Sequence, residues 1–382
     1  MSLRTVDAQA VLAGGFDALI DARSPAEFAE DHLPGALNWP VLDDDQRRLV
    51  GTLYKEAGAL PARKVGAPIV ARNIACHLER ELGDKPREWQ PLVYCWRGGQ
   101  RSGTLAWFLG EVGFRVARLD GGYKAWRAMV RTQLETLPAA YRYRVLCGRT
   151  GSAKTRLLQA LAAQGAQVLD LEGLARHRGS VLGALPGTPQ PSQKHFEHRV
   201  WQALRGFDPA RPVWIESESR KIGALRVPEA LIAELRERGM CLQLVLPDAA
   251  RLDLLLDDYA HFLGDPQAFN RQLDALVALR GRTIVSDWQA LARAGRWREL
   301  FGRLMREHYD PLYDRSLRGH WRALEQAPRL HLSDAGPAAL AAAARELLAA
   351  GIAPGSDAAS RLGPEPAPAA ATIVADDNTR SD

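Results

Sequence analysis

The chain has little cysteine. Its 382 residues include four, Cys76, Cys95, Cys147 and Cys241, and no two form a Cys-x-x-Cys pair, which argues against a structural zinc site. Thiols this sparse fit a reducing compartment, where they stay free. There is no apolar run of ~18 residues, so no membrane-crossing helix is expected. The opening stretch MSLRTVDAQAVLAGGFDALIDAR is broken by Asp7, Gly14, Gly15 and Asp17, and no small-residue cleavage site follows it. A secretory signal is therefore not expected, and a soluble cytoplasmic protein with no membrane partner is the reading. Internal repeats are also lacking.

What is present is globular in character: 46% hydrophobic and 25% charged residues, unlike a disordered chain. The length exceeds one ordinary core, so two domains are expected. Residues 353–382 contain five acids (Asp357, Glu365, Asp376, Asp377, Asp382) and two bases (Arg361, Arg380), rich in Ala and Pro. They read as a disordered tail without a catalytic role. Without this tail the formal charge rises from +5 to +8, a balance that favours an anionic partner such as nucleic acid.

The first ~140 residues alternate strand-like and helix-like patches, as an α/β domain does. FDALIDAR reads as a buried strand. SPAEFAEDH offers Ser24 as N-cap, Pro25 at the first helical position and Glu27 at the third. QPLVYC, a Gly-Gly break and RSGTLAWFLGEVG read as strand, loop and helix. FRVARLDGGYKAWRAMV repeats that order. A second unit opens near Tyr141 with YRVLC, and AQVLD, RPVWIESES and MCLQLVLPD read as its further strands. From Ala249 to about Arg322 the text is helical, interrupted in HYDPLYDRS by a turn expected at Pro311.

Cys95-Trp96-Arg97-Gly98-Gly99-Gln100-Arg101-Ser102 places a cysteine at a strand end, before a glycine curl and a helix start. Converging backbone N–H groups, the helix N-terminus and the charges of Arg97 and Arg101 all favour thiolate over thiol. The same cradle suits an anion on or beside the sulfur. The other three cysteines read as inert buried ones. IDARSPAEFAEDHLPGALNWP, LVYCWRGGQRS and LDGGYKAWR together resemble a rhodanese domain. The resemblance implies a loop cysteine that carries sulfur or selenium, with structural roles for Asp21 and Arg23.

Gly148-Arg149-Thr150-Gly151-Ser152-Ala153-Lys154-Thr155 fits the frame G-x-x-x-x-G-K-[ST] except that Ala153 replaces the second glycine. It lies between an apolar strand and an apolar helix, the context that gives the motif its meaning. Gly148, Thr150, Gly151 and Ser152 are expected to cradle phosphate, with Lys154 reaching a further oxygen and Thr155 placed for Mg²⁺. Ala153 is expected to begin the helix, where alanine is acceptable. Phosphate binding should survive there, while nucleotide hydrolysis is left open. Asp170 and Glu172 follow one strand and Glu216 and Glu218 close another. Asp170 and Glu216 are the candidate Mg²⁺ ligands.

The segment LEGLARHRGSVLGALPGTPQPSQKHFEHRV is Gly- and Pro-punctuated, lacks a strong apolar face and reads as a long functional loop. Arg176, Arg178, Gln193, Lys194 and, further on, Arg220 are its candidate RNA contacts. His195 and His198 lack the neighbours a zinc site needs.

LEGLARHRGSVLG, QPSQKHFE and ESESRKIG, in this order behind the rhodanese-like motif, resemble the tRNA 2-selenouridine synthase family from about Val6 to about Tyr313. The expected fold class is α/β. A rhodanese-like domain (1–138) precedes a P-loop NTPase-like domain with a helical C-terminal part (139–352) and the tail (353–382). The resemblance implies that selenium from selenophosphate replaces the sulfur of wobble 2-thiouridine, through an S-geranyl intermediate made from geranyl diphosphate. It also implies tRNAs for Lys, Glu and Gln as partners and no tightly bound cofactor. Two alternatives stand beside it: a sulfurtransferase fused to an NTPase or kinase, and a non-catalytic RNA- or phosphate-binding module.

Overall fold

Each half of the chain builds a five-stranded, all-parallel sheet. Parallel strands need crossovers, and helices supply them. The computed structural model describes residues 4–320, 324 and 327–350. The tail expected to be disordered lies outside these residues.

The first half runs β1 (Arg4–Val6), α1 (Ala8–Ala13), β2 (Ala18–Asp21), α2 (Pro25–Glu30), β3 (Leu37–Asn38), α3 (Asp44–Glu56), α4 (Ala59–Glu81), β4 (Pro91–Tyr94), α5 (Gln100–Val112), β5 (Ala117–Leu119) and α6 (Gly122–Thr136). The strand order is β1-β5-β4-β2-β3. β4 is central and buried along its length, so the loop after it emerges at the middle of the sheet's carboxyl edge. Ser24 and Glu27 form the capping box of α2 with Pro25 in its first turn. Asp21 and Arg23, both fully buried, form an ion pair at 2.6 Å, and Arg23 also donates to Asp31 O.

The second half runs β6 (Tyr143–Cys147), α7 (Lys154–Ala163), β7 (Gln167–Leu169), α8 (Leu171–Ala175), α9 (Gln193–Arg205), β8 (Val213–Glu216), the antiparallel ribbon β9 (Lys221–Ile222) and β10 (Leu225–Arg226), α10 (Glu229–Glu237) and β11 (Met240–Val245). There follow α11 (Asp248–Asp258), α12 (Pro266–Leu273), α13 (Val277–Arg280), α14 (Arg282–Arg293), α15 (Trp297–Leu304), α16 (Asp310–His320), β12 (Arg329–His331) and α17 (Pro337–Ala350). The order is β12-β11-β6-β8-β7. The chain leaves central β6 first to one side and then to the other, so the crevice at its carboxyl end is where a ligand is expected in such a sheet.

Two sequence expectations change here. Pro311 makes no turn: a π-helical turn, Met305–Tyr309, runs directly into α16. Proline lacks an N–H and crowds the carbonyl four residues back, and the wider i→i+5 turn accommodates both defects. The segment read as one long loop ends in helix α9, which buries Phe196, His198, Val200, Trp201 and Leu204. That face packs with Trp126, Val130 and Leu134 of α6 and Leu231 and Leu235 of α10, so one apolar core crosses from the first half to the second.

Candidate functional site

The cysteine loop is built as a closed curl. Tyr123 N–H donates to Cys95 O at 2.8 Å and Lys124 N–H to Trp96 O at 3.0 Å, tying the loop to the start of α6. Gly122 makes this possible: at φ +60° a Cβ would run into Cys95 O and Gly98 N. Cys95 is buried, and Ser102 Oγ, in the first turn of α5, donates to its Sγ at 3.2 Å. Ser102 had no role assigned from sequence; a hydroxyl seven residues on gives no signal until the curl folds it back. Arg97 is exposed on the loop. Arg101 donates to Glu27 Oε2 at 2.5 Å and to Oε1 at 3.3 Å, so its charge is paired with a carboxylate.

The phosphate loop follows β6. Lys154 Nζ donates to Gly148 O at 2.6 Å, bending the ammonium over the loop. Tyr313 OH accepts from Gly148 N–H, and its ring lies 5.6 Å from Lys154 Nζ. Gly151 sits at φ +77°, where a Cβ would stand 3.0 Å from Arg251 O. Thr150 O accepts from Arg251, itself held by Asp248 and Asp310. Ser152 Oγ is buried without a partner. Ala153 does begin the helix, but as an N-cap at φ +66°. The position demands the left-handed conformation that glycine takes freely, and the expectation that alanine sits there without strain is corrected.

The carboxylates sort differently from expectation. Asp170 lines the cavity but caps α8, its Oδ1 accepting from Gly173 N–H at 2.8 Å. Glu172, Glu216 and Glu218 instead bring carboxylate oxygens within 4.8 Å of one another. Thr155 Oγ1 lies 3.2 Å from both Glu172 and Glu216, and Glu216 Oε1 is buried without a partner. Burial first, and then mutual repulsion, push Glu172 and Glu218 up to about 8 and Glu216 well above the carboxylate range, while Lys154 pulls back. Three crowded carboxylates, one orphan oxygen and a threonine hydroxyl are the donor set a hard divalent cation takes. The residues present therefore fit Mg²⁺, with Glu172 and Glu218 in place of Asp170.

These groups surround a cavity of about 630 Å³, a volume typical of ligand clefts. Arg178 lines it, 3.2 Å from Asp258. Arg176 and Arg220 are exposed. Gln193 and Lys194 are corrected as free RNA contacts: they start α9 at the junction of the halves. Gln193 donates to Arg226 O and Glu197, and Lys194 to Glu30. Lys194 Nζ also lies 5.6 Å from the Trp96 ring. At the same junction buried Asp31 accepts from His198 Nδ1 at 2.9 Å and Tyr123 OH at 2.7 Å. Trp126 Nε1–H, which can only donate, faces His198 Nε2, so Nδ1 carries the proton given to Asp31. Although burial pushes the Asp31 carboxyl up, the two histidines and Tyr123 outweigh it and hold it far below the usual range. His195 and His198 thus serve this carboxylate.

Fold and site together define a two-domain protein: a rhodanese-like domain with a loop cysteine, joined to a P-loop domain with an acidic triad. The profile of the rhodanese-like domain matches residues 6–129, and that of the tRNA 2-selenouridine synthase AAA domain matches residues 141–280. The tRNA 2-selenouridine synthase of Chromohalobacter salexigens is 35% identical over 83% of this chain and 91% of its own. That of Alcanivorax borkumensis is 33% identical over 78% and 88%, and that of Nitrosomonas europaea 36% identical over 63% of each chain. The chain belongs to the tRNA 2-selenouridine synthase family.

Proposed function

We propose that the protein replaces the sulfur of 2-thiouridine at the tRNA wobble position with selenium from selenophosphate, by way of an S-geranylated base. The observation that carries this reading is the phosphate loop facing the acidic triad in one cavity, on the same chain as the cysteine loop. In the first step the thiocarbonyl sulfur attacks C1 of geranyl diphosphate: a C–S bond forms, the C–O bond breaks and diphosphate leaves. Lys154, swung from Gly148 O, meets the charge on the leaving group together with the loop N–H groups. Glu172, Glu216, Glu218 and Thr155 would hold Mg²⁺, which supplies further positive charge there. In the second step selenium of selenophosphate adds at C2, and geranylthiol departs with a proton. Water takes the phosphoryl group from selenium as phosphate. Cys95, with Arg97 beside it, serves this step as nucleophile or anion cradle. The tRNAs for Lys, Glu and Gln are the proposed substrates, and a tRNA substrate implies the cytoplasm.

Nucleoside mass spectrometry tests this directly. The protein is incubated with 2-thiouridine tRNA, geranyl diphosphate and selenophosphate, each omitted in turn. Lys154→Ala is expected to abolish the geranylated nucleoside. Cys95→Ser should retain it and lose selenouridine. Selenouridine formed at wild-type level by both variants would sink the assignment.

A further inference from the structure

The helical hairpin of α3 and α4 contributes little to the core: α3 buries none of its residues, and α4 only Ala62, Gly66 and Ile74. It is firmly built all the same. A Cβ on Gly66 would stand 3.3 Å from the methyl groups of Val50, so the two helices pack closely there. At the base Asn73 donates to Gln46 Oε1 at 2.7 Å and to Val41 O at 3.1 Å. At the tip Gly58, at φ +89°, lets the chain turn back. The base also stands beside the cysteine loop, because one carboxylate, Glu27, takes both Arg101 of α5 and Arg47 of α3, the latter at 3.8 Å.

What the hairpin shows to solvent is positive. Residues 47–72 hold six cations and one acid, Glu56, a net charge of +5 that equals that of the whole chain. Arg47 and Arg48 have acidic partners in Glu27 and Asp45. Lys55, Arg63, Lys64 and Arg72 are exposed and make no ion pair among the described residues. α4 has no acid before Glu79. Lys64 and Arg72 are two turns apart on one stripe of α4, with Arg63 alongside. Like charges gathered without a counter-charge repel one another, and a polyanion relieves them. Tyr54 and Leu60, 59% and 64% exposed, and Val65 lie among these cations.

Cations interleaved with an exposed tyrosine suit RNA, whose phosphates pair with the first and whose unstacked bases lie on the second. A lipid surface fits less well. Insertion takes a continuous apolar face, whereas Arg63 and Lys64 stand three and four places from Leu60, on the same face of α4. A second copy of the hairpin would set one positive surface against another.

We propose that the α3–α4 hairpin is the surface on which the RNA substrate docks, with Lys55, Arg63, Lys64 and Arg72 pairing with backbone phosphates and Tyr54 with a base. The inference rests on the RNA-modifying reading above and assigns an RNA grip to the first domain, beside the cysteine loop.

The test uses the full chain and fluorescent tRNA carrying 2-thiouridine at the wobble position, titrated by anisotropy at several salt concentrations. Replacing Arg63, Lys64 and Arg72 together by alanine is expected to weaken binding about tenfold or more near 0.1 M salt. It should also lower the slope of log affinity against log salt by about 2–3. Tyr54→Ala should cost about fivefold or more. Replacing Arg271, Arg282 and Arg293 by alanine removes the same charge from α12 and α14 and should change affinity by less than about threefold. In selenouridine formation the hairpin variant should raise KM for tRNA and keep kcat. Its binding of inorganic diphosphate with Mg²⁺, measured by calorimetry, should stay within about twofold of wild type. Wild-type affinity and salt slope in the hairpin variant overturn the proposal. So does an equal loss in the α12–α14 variant, which would make overall charge the cause. So does hairpin-dependent binding to phosphatidylserine vesicles with tRNA affinity unchanged. A wild type that does not bind tRNA overturns it too. If tRNA is still modified in that case, the functional reading stands without this surface; if it is not, both fall.

Discussion

Ala153 shows how much a single residue can carry. At φ +66° it occupies a conformation that costs an L-residue about 1–2 kcal/mol, partly offset by the smaller entropy of an unfolded alanine relative to glycine. Ala153→Gly should therefore stabilise the protein by about 0.5–1 kcal/mol in urea titrations. A drop in stability would mean that the strain is not there. The triad makes a second prediction. Glu172, Glu216 and Glu218 have raised pKa values when folded, so the folded state holds protons that the unfolded state releases above about pH 4.5. Their contribution is fully present below that pH and is lost as pH rises through about 8. Without metal, the melting temperature should fall across this window. Mg²⁺ should raise it most at the alkaline end, and Glu216→Gln should flatten the profile.

Among the elements, α9 does the joining. Its apolar face completes a core begun by α6, and its polar edge meets Asp31 at the end of α2. Asp31→Ala would leave Tyr123 OH and His198 Nδ1–H buried without their acceptor. A loss of about 2–4 kcal/mol is expected by urea denaturation; a change under about 0.5 kcal/mol would show that the junction does not depend on this carboxylate. α16 matters in another way. It places Tyr313 against Gly148 and Asp314 against Arg149, so the phosphate loop is braced from outside its own strand-loop-helix unit. None of this shows in HYDPLYDRS, where Pro311 suggests a break. The compensation is a backbone widening that local propensity does not encode.

At the scale of the whole molecule, the apolar core shared by α6, α9 and α10 couples the two domains. Tryptophan fluorescence and far-ultraviolet circular dichroism should therefore trace one coincident unfolding transition. Asp31→Ala should begin to separate them, and two transitions in the wild type would contradict the coupling. The phosphate cavity is lined by residues of the second domain alone, from Thr150 to Tyr313, so the cysteine loop does not share its wall. The division of labour proposed for Lys154 and Cys95 is compatible with that separation.

Both motifs were legible before folding because each is local. A cysteine, two glycines and a helix start lie within eight residues, and so do the residues of the phosphate loop. Backbone N–H groups that converge within one turn can be read from spacing. Glu172 and Glu218 were visible as acids, but their selection over Asp170 was not. Whether a carboxylate caps its own helix or faces another strand's end depends on directions set by the sheet. The same holds for Arg101, Gln193 and Lys194, each of which has a partner 33 to 164 residues away. Sequence alone determined the two domains, their order and the two chemical loops, since periodicity and turn chemistry are short-range. Only tertiary structure decided which charged groups remain free, because pairing and burial depend on neighbours far away in the chain.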